Sequence, residues 1–234
     1  MAGTVFLVPN TLGETTVESV IPSEVCLLIK QIKYFIVEDI RTTRRFLKKV
    51  DKEIDIDELT FYVLNKHTTP QQKSSFLNVV KKGENVGIVS EAGVPGVADP
   101  GADIVAMAHQ QNFKVVPLVG PSSILLSLMA SGMNGQSFAF HGYIPIKAGD
   151  RAKAIKHLEG ISIREKQTQI FIEAPYRNNH LLKDIIANCN PKTKVCVACD
   201  ITLESEYIKT KTVAQWKGKL PELHKKPTIF LIQG

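Results

Sequence analysis

Apolar residues along this chain arrive in two rhythms. Short unbroken runs rich in β-branched residues stand at 4–8 (TVFLV), 34–37 (YFIV), 59–64 (LTFYVL), 86–89 (VGIV) and 113–119 (FKVVPLV). Each is too short for a helix and reads as a buried strand. Between them apolar residues recur at helical spacing: Val25, Leu28, Ile29 and Ile32 behind Pro22, Phe76, Leu77 and Val80 behind Pro70, and Ile104, Val105 and Ala108 behind Pro100. Strands alternating with helices predict βαβ units. The second half repeats the alternation, with strands at 136–143, 169–172, 194–199 and 228–232. Its helices run from Arg151 to about Ile163 and through Leu181, Leu182, Ile185 and Ile186, and 202–211 reads as a polar stretch. The chain therefore reads as two α/β domains, 1–133 and 134–234.

The stretch 86–101 carries the strongest local signal. A buried strand breaks into a loop in which Ser90, Ala92, Gly93 and Gly96 leave room for a ligand to touch backbone, while Pro95 and Pro100 stiffen it. Asp99 at the N-cap and Pro100 behind it predict the next helix start. Most βα loops need about 2–6 residues, and this one is longer. A small-residue loop at the carboxyl end of a parallel strand is where α/β folds bind ligands. The turn after the first strand, Pro9-Asn10-Thr11-Leu12-Gly13, occupies the corresponding first position. It lacks G-x-G-x-x-G, which argues against a nicotinamide-binding dehydrogenase. Ser122 and Ser123 open an apolar helix over 122–131, which predicts a buried helix. Its N-terminus either holds an anion or is simply capped by serine.

Acidic and basic groups then add chemistry. Asp39, an N-cap for a helix from about Ile40, joins His67 and Glu173 as strand-end candidates for a general base. On that helix Arg41, Arg45, Lys48 and Lys52 form one stripe, either a solvated face or a contact for phosphates. The net charge of +6 permits a polyanionic partner. No apolar run approaches the roughly 18 residues of a membrane span, and no signal-peptide pattern opens the chain, so a cytoplasmic protein is expected. The four scattered cysteines read as reduced thiols. Cys196 and Cys199 lie inside an apolar strand run with no second pair for zinc, and read as core. No cluster has metal-ligand spacing.

Several segments in order now resemble one family: GTVFLVPNTLGE from Gly3, EDIRTTRRFL from Glu38, VSEAGVPGVADPG from Val89, VVPLVGPSSILLSLMASG from Val115, FAFHGYIP from Phe138 and IFIEAPYR from Ile170. They resemble the tetrapyrrole (corrin/porphyrin) methylase-like S-adenosylmethionine-dependent methyltransferases. Within that family they look most like the branch acting on the ribose 2′-O of small-subunit ribosomal RNA. The resemblance implies a mainly parallel sheet in the first domain and a mixed sheet in the second. It also implies S-adenosylmethionine in the cleft between them, a homodimer and a ribosomal RNA acceptor. It carries cofactor contacts onto Pro9, onto Ser90, Glu91, Ala92, Gly93, Val94 and Pro95, onto Ser122 and Ser123, and onto Phe140, His141 and Gly142. It brings 173–177 near the same cleft; Arg177 and, from the stripe that follows the Glu38-Asp39 strand end, Arg41 and Arg45 are expected toward the substrate. The chain departs from the branch at Glu91 (usually Asp), at Val94 (usually Thr), in PNTLG (usually T-P-I-G-N) and at Thr42-Thr43 (usually His-Thr). Two other functions stay in view: methylation of a tetrapyrrole or other small molecule, and RNA binding without turnover.

Overall fold

In a computed structural model describing residues 2–218 and 220–234, the apolar runs of the first half become five parallel strands. The chain divides into two compact units, Met1–Ser122 and Ser123–Gly234. The first contains β1 (Thr4–Val8), α1 (Ser23–Ile29), β2 (Tyr34–Val37), α2 (Ile40–Val50), β3 (Thr60–Val63), α3 (Pro70–Phe76), α4 (Asn78–Lys81), β4 (Val86–Val89), α5 (Gly101–Gln110) and β5 (Lys114–Pro117). Strand order is β3-β2-β4-β1-β5, with every pairing parallel. Successive strand residues face opposite sides, so each strand feeds two cores. Val8, Phe35, Val37 and Val89 pack with Val25 and Ile29 of α1 and Phe46 and Leu47 of α2. Val5, Ile36, Val86 and Ile88 pack with Leu77, Val80, Ile104 and Ala108 of α4, α5 and the turn before α4. Helices thus cover both faces, as a buried parallel sheet requires.

This winding fixes where the site lies. The chain leaves β1 toward β2 and leaves β4 toward β5, so adjacent central strands send their connections in opposite directions. Ligands bind at such a switch point, beyond the carboxyl ends of the strands. There the loops after β1 and β4 lie side by side.

The second unit contains α6 (Ser123–Ser131), β6 (Phe138–Tyr143), α7 (Ala148–Glu165), β7 (Thr168–Ile172), α8 (Asn178–Asn188), β8 (Lys194–Cys199), β9 (Tyr207–Thr212), α9 (Val213–Trp216) and β10 (Thr228–Gln233). Its sheet runs β6-β7-β10-β8-β9. The β6–β7 pair is parallel and the other pairs are antiparallel. On one face Val195, Val197, Phe230 and Phe171 meet Ile155, Leu158, Leu181, Leu182 and Ile185 of α7 and α8, with Trp216 of α9. The Trp216 indole is buried and donates to Val195 O at 3.0 Å, which satisfies its N–H. Cys196 and Cys199 lie buried in β8, where burial raises both thiol pKa values; they act as core side chains.

Four local expectations come out differently. The division falls before α6 rather than after 133, because α6 packs on β8, β9 and β10 and Thr210 Oγ1 donates to Ser131 O at 2.7 Å. That helix is not buried all round: Ser127, Leu128 and Ser131 face inward while Leu125 and Met129 are exposed. The polar stretch 202–211 overlaps the edge strand β9, whose Lys209 and Lys211 suit an exposed strand edge. Helix α5 begins at Gly101, and Asp99 Oδ1 accepts the N–H groups of both Gly96 and Gly101 at 2.9 and 2.7 Å.

Candidate functional site

At the carboxyl end of the first sheet, one side chain joins the two loops. Asn10, only 4% exposed, follows β1. Its side-chain amide donates to Ser90 O at 3.2 Å and Glu91 O at 3.0 Å, and its Oδ1 accepts from the Thr11 N–H at 2.8 Å. Its backbone N–H donates to Gly93 O at 2.8 Å. Both side-chain polar atoms and the backbone N–H of this buried asparagine are used, so the two loops are held as one rigid edge. Two glycines make the close approach possible. A Cβ on Gly120, after β5, would lie 2.1 Å from Pro9 Cβ, which no side chain can accommodate. Gly93 has φ +70°, and a Cβ there would meet Leu12 Cδ2 at 3.1 Å and Pro121 O at 3.3 Å. The loops after β1, β4 and β5 are therefore packed backbone to backbone.

Among the cofactor residues carried over by resemblance, Pro9, Ser90, Gly93 and Pro95 are buried in this edge. Ser90 Oγ donates to Ala92 O at 3.2 Å. Glu91 and Ala92 are the exposed members, and Val94 is half-buried. Ser122 closes the first unit and Ser123 begins α6.

The expected base candidates separate. Asp39 caps α2: its Oδ1 accepts the Thr42 N–H at 2.7 Å, and that bond, with Arg45 and Arg41 nearby, lowers its pKa. His67 sits in an exposed turn beyond the edge strand β3, its N–H bonded to Asn65 Oδ1 at 2.8 Å. The residue that sequence reasoning passed over is Glu38, immediately before Asp39. Half-buried at the end of β2, it has a pKa raised to about 7 by burial and by the carboxylates of Asp99 and Glu91. A carboxyl group whose pKa is raised toward neutrality has the proton affinity of a general base. The local signal was its position at a strand end; the shift depends on residues brought up by the fold.

A cleft of about 140 Å³ opens beside this edge, walled by the 10–14 loop, by Thr42, Arg45, Phe46 and Lys49 of α2, and by Glu91 and Ala92. Of the predicted basic stripe, Arg45 reaches this cleft. Lys48 Nζ instead bonds Lys52 O at 2.9 Å, and Arg41 is exposed.

In the second unit another group of predicted residues meets. Strands β6 and β7 run parallel, and a register shift between Phe140 and Tyr143 brings Tyr143 opposite Ile172. Gly142, at φ +64°, supplies the bend. His141 Nε2 lies 2.7 Å from Gln169 Oε1. Just beyond β7, Glu173 Oε1 accepts from Arg177 Nη2 at 2.6 Å and from the Ala174 N–H at 2.7 Å. Burial pushes the Glu173 carboxyl up, but Arg177 and the Ala174 N–H outweigh it and the net pKa is lowered. Arg177 stacks on the Tyr176 ring at 4.7 Å. Glu173 Oε2 and Arg177 Nε are buried without a hydrogen-bond partner among the described residues. Glu173 thus orients an arginine and is held ionised, which suits it poorly as a base.

Comparison with known proteins decides the family. The chain is 30% identical to the "Ribosomal RNA small subunit methyltransferase I" of Buchnera aphidicola subsp. Schizaphis graminum, over 98% of this chain and 78% of that protein. The chain belongs to that family. The Vibrio cholerae member is 28% identical over 98% of this chain and 76% of its own length. No family model matches the chain. Among solved structures, the methyltransferase CobJ superimposes with a TM-score of 0.65 at 16% identity, covering all of this chain and 95% of that one. The cobalt precorrin-4 methyltransferase CbiF gives 0.60 at 13%, covering 98% and 94%. The fold of this ribosomal RNA methyltransferase family member is thus that of the tetrapyrrole methylases. Its two α/β units and their parallel and mixed sheets match what the motif resemblance implied.

Proposed function

We propose that this protein transfers a methyl group from S-adenosylmethionine to a ribose 2′-hydroxyl of small-subunit ribosomal RNA in the cytoplasm. The observation that carries this reading is the match to a ribosomal RNA small subunit methyltransferase I over 98% of the chain. The chemistry of the two sites supports it. Asp99 Oδ2 and Glu173 Oε2 are buried acceptors with no partner among the described residues. Buried acceptors of this kind fit the hydroxyl and amine donors of S-adenosylmethionine, and the carboxylates around Glu38 fit its positive sulfonium. Pro9, Ser90 to Pro95, Ser122, Ser123 and Phe140 to Gly142 are the residues that would hold it.

When bound, S-adenosylmethionine supplies a methyl group already activated by its sulfonium. This chain's residues are left with positioning the acceptor hydroxyl, at about 3–3.5 Å for a productive approach, and with taking up its proton. Glu38 suits the second task because burial and its carboxylate neighbours give it a proton affinity near neutrality. Arg41 and Arg45 of α2, with Arg177, supply charge for the RNA backbone. A homodimer completes the reading, supported by the exposed Leu125 and Met129 of α6, 51% and 78% accessible. No helix among the described residues is long and apolar enough to cross a membrane.

The test uses the chemistry of the acceptor. Small-subunit RNA is incubated with the protein and methyl-labelled S-adenosylmethionine, then hydrolysed in alkali. A 2′-O-methyl group protects the adjoining phosphodiester, so the label is expected in an alkali-resistant dinucleotide. Label released in a mononucleotide would place the methyl on a base and overturn the 2′-O assignment.

A further inference from the structure

The cleft beside the β1 and β4 loops carries an ion pair whose placement has a use. Arg45 and Lys49 stand one turn apart on α2, with Thr42 at the preceding turn, and all three line the cleft. From the opposite wall Glu14 Oε2 accepts from Lys49 Nζ at 2.6 Å. The Glu14 side chain is 90% exposed, so solvent screens this pair and it is easily opened. Arg45 also acts on the Glu14 carboxylate through its charge. The second carboxylate on the wall is Glu91. With Glu14 in place the two cations and two carboxylates cancel. With Glu14 swung out, Arg45 and Lys49 exceed Glu91 by one positive charge, which matches one phosphodiester. A carboxylate on a loop rim thus sits where a phosphate oxygen would bond a lysine ammonium.

We propose that this cleft binds a phosphodiester of the acceptor RNA, and that Glu14 is an internal stand-in for that phosphate, displaced from Lys49 when RNA arrives. The proposal rests on the reading that the acceptor is RNA. Lys49 and Arg45 grip the incoming phosphate, Thr42 offers a hydroxyl to it, and Glu14 sets the threshold it must exceed. Because the cleft shares Glu91 and Ala92 with the rigid loop edge, a phosphate held there positions the strand against that edge. A polyanion that cannot present a single phosphodiester between α2 and the 10–14 loop gains less.

The experiment is a double-mutant cycle in binding of a short single-stranded small-subunit RNA, with Glu14→Gln, Lys49→Gln, the double variant, and Glu53→Gln as a control for charge alone. All three positions are exposed, which keeps the fold out of the measurement. Lys49→Gln is expected to weaken binding roughly tenfold and to lower the salt slope by about 0.7. Glu14→Gln is expected to tighten binding about two- to fivefold, more than Glu53→Gln does, and to have no such effect when Lys49 is already changed. Independent effects of the two substitutions, or a Glu14→Gln gain no larger than that of Glu53→Gln, overturn the proposal and leave the RNA reading standing. If wild type binds no RNA at low salt, the RNA reading falls instead. Inorganic phosphate then judges the cleft alone. A rise in wild-type melting temperature that Lys49→Gln abolishes sustains an anion site, and equal rises overturn it.

Discussion

Glu38 and Asp39 are consecutive carboxylates at the end of β2, and the fold sends their pKa values in opposite directions. Asp39 accepts the Thr42 N–H at the N-terminus of α2, which favours its charged form. Glu38 is half-buried against two like charges, Asp99 and Glu91, which favours its neutral form. The consequence for stability has a definite sign. Between the ordinary 4.5 and about 7, folded Glu38 keeps a proton that the unfolded chain has lost. Stability from this residue is therefore present at low pH, falls as pH rises through that window, and is lowest above it. Glu38→Gln removes the titration. Thermal melts should show the variant matching wild type near pH 4.5 and exceeding it at pH 8. Because the side chain is half-exposed and screened, a gain of about 1 kcal/mol is expected. Methyl transfer by the same variant should fall, the pattern of a group kept for function at a cost in stability. Equal melting at both pH values would show that Glu38 ionises normally. Asp39 was legible in the sequence because an N-cap is a local signal. Glu38 was not, because its proton affinity comes from residues that only the parallel pairing of β2 with β4 brings alongside.

At the scale of elements, legibility followed burial. Strands β1, β2, β4 and β8 are apolar runs covered on both faces, and their sequence bounds and structural bounds agree. Strand β9 lies at an edge with Lys209 and Lys211 among its residues, so its hydrophobic signal is diluted by the charges that protect the edge. Helix α6 was legible as a helix but not in its surroundings. Its composition predicts burial on all sides, while the sheet takes up only the face of Ser127, Leu128 and Ser131. Leu125 and Met129, four residues apart, are exposed on one face. A homodimer covering that face would bury about 1,200–2,000 Å². Changing Leu125 and Met129 together to glutamate should convert the proposed dimer to a monomer in light scattering at micromolar concentration. Retention of the dimer by this double variant would place the interface elsewhere, and a monomeric wild type would remove the dimer.

Across the whole molecule, the chain's excess of positive charge, +6, lies partly along α2 at the carboxyl end of the first sheet. Solved structures like it in fold include a cobalamin biosynthetic methyltransferase and a uroporphyrin-III-C-methyltransferase, while relatives that match along nearly its full length are named for ribosomal RNA. The solved structures therefore show the fold, and the sequence match carries the family. The motif order along the chain made the family legible, since the motifs lie at or just beyond the carboxyl ends of strands. The site's internal logic was not legible there, because Asn10, Glu14, Gly120 and Glu38 act through partners distant in sequence. The most direct measurement is transfer of tritium from methyl-labelled S-adenosylmethionine to purified small ribosomal subunits, with a porphyrin precursor as the competing acceptor. Label in the RNA of the small subunit, with none in the precursor, is the expected result. Label in the precursor and none in RNA would contradict the account.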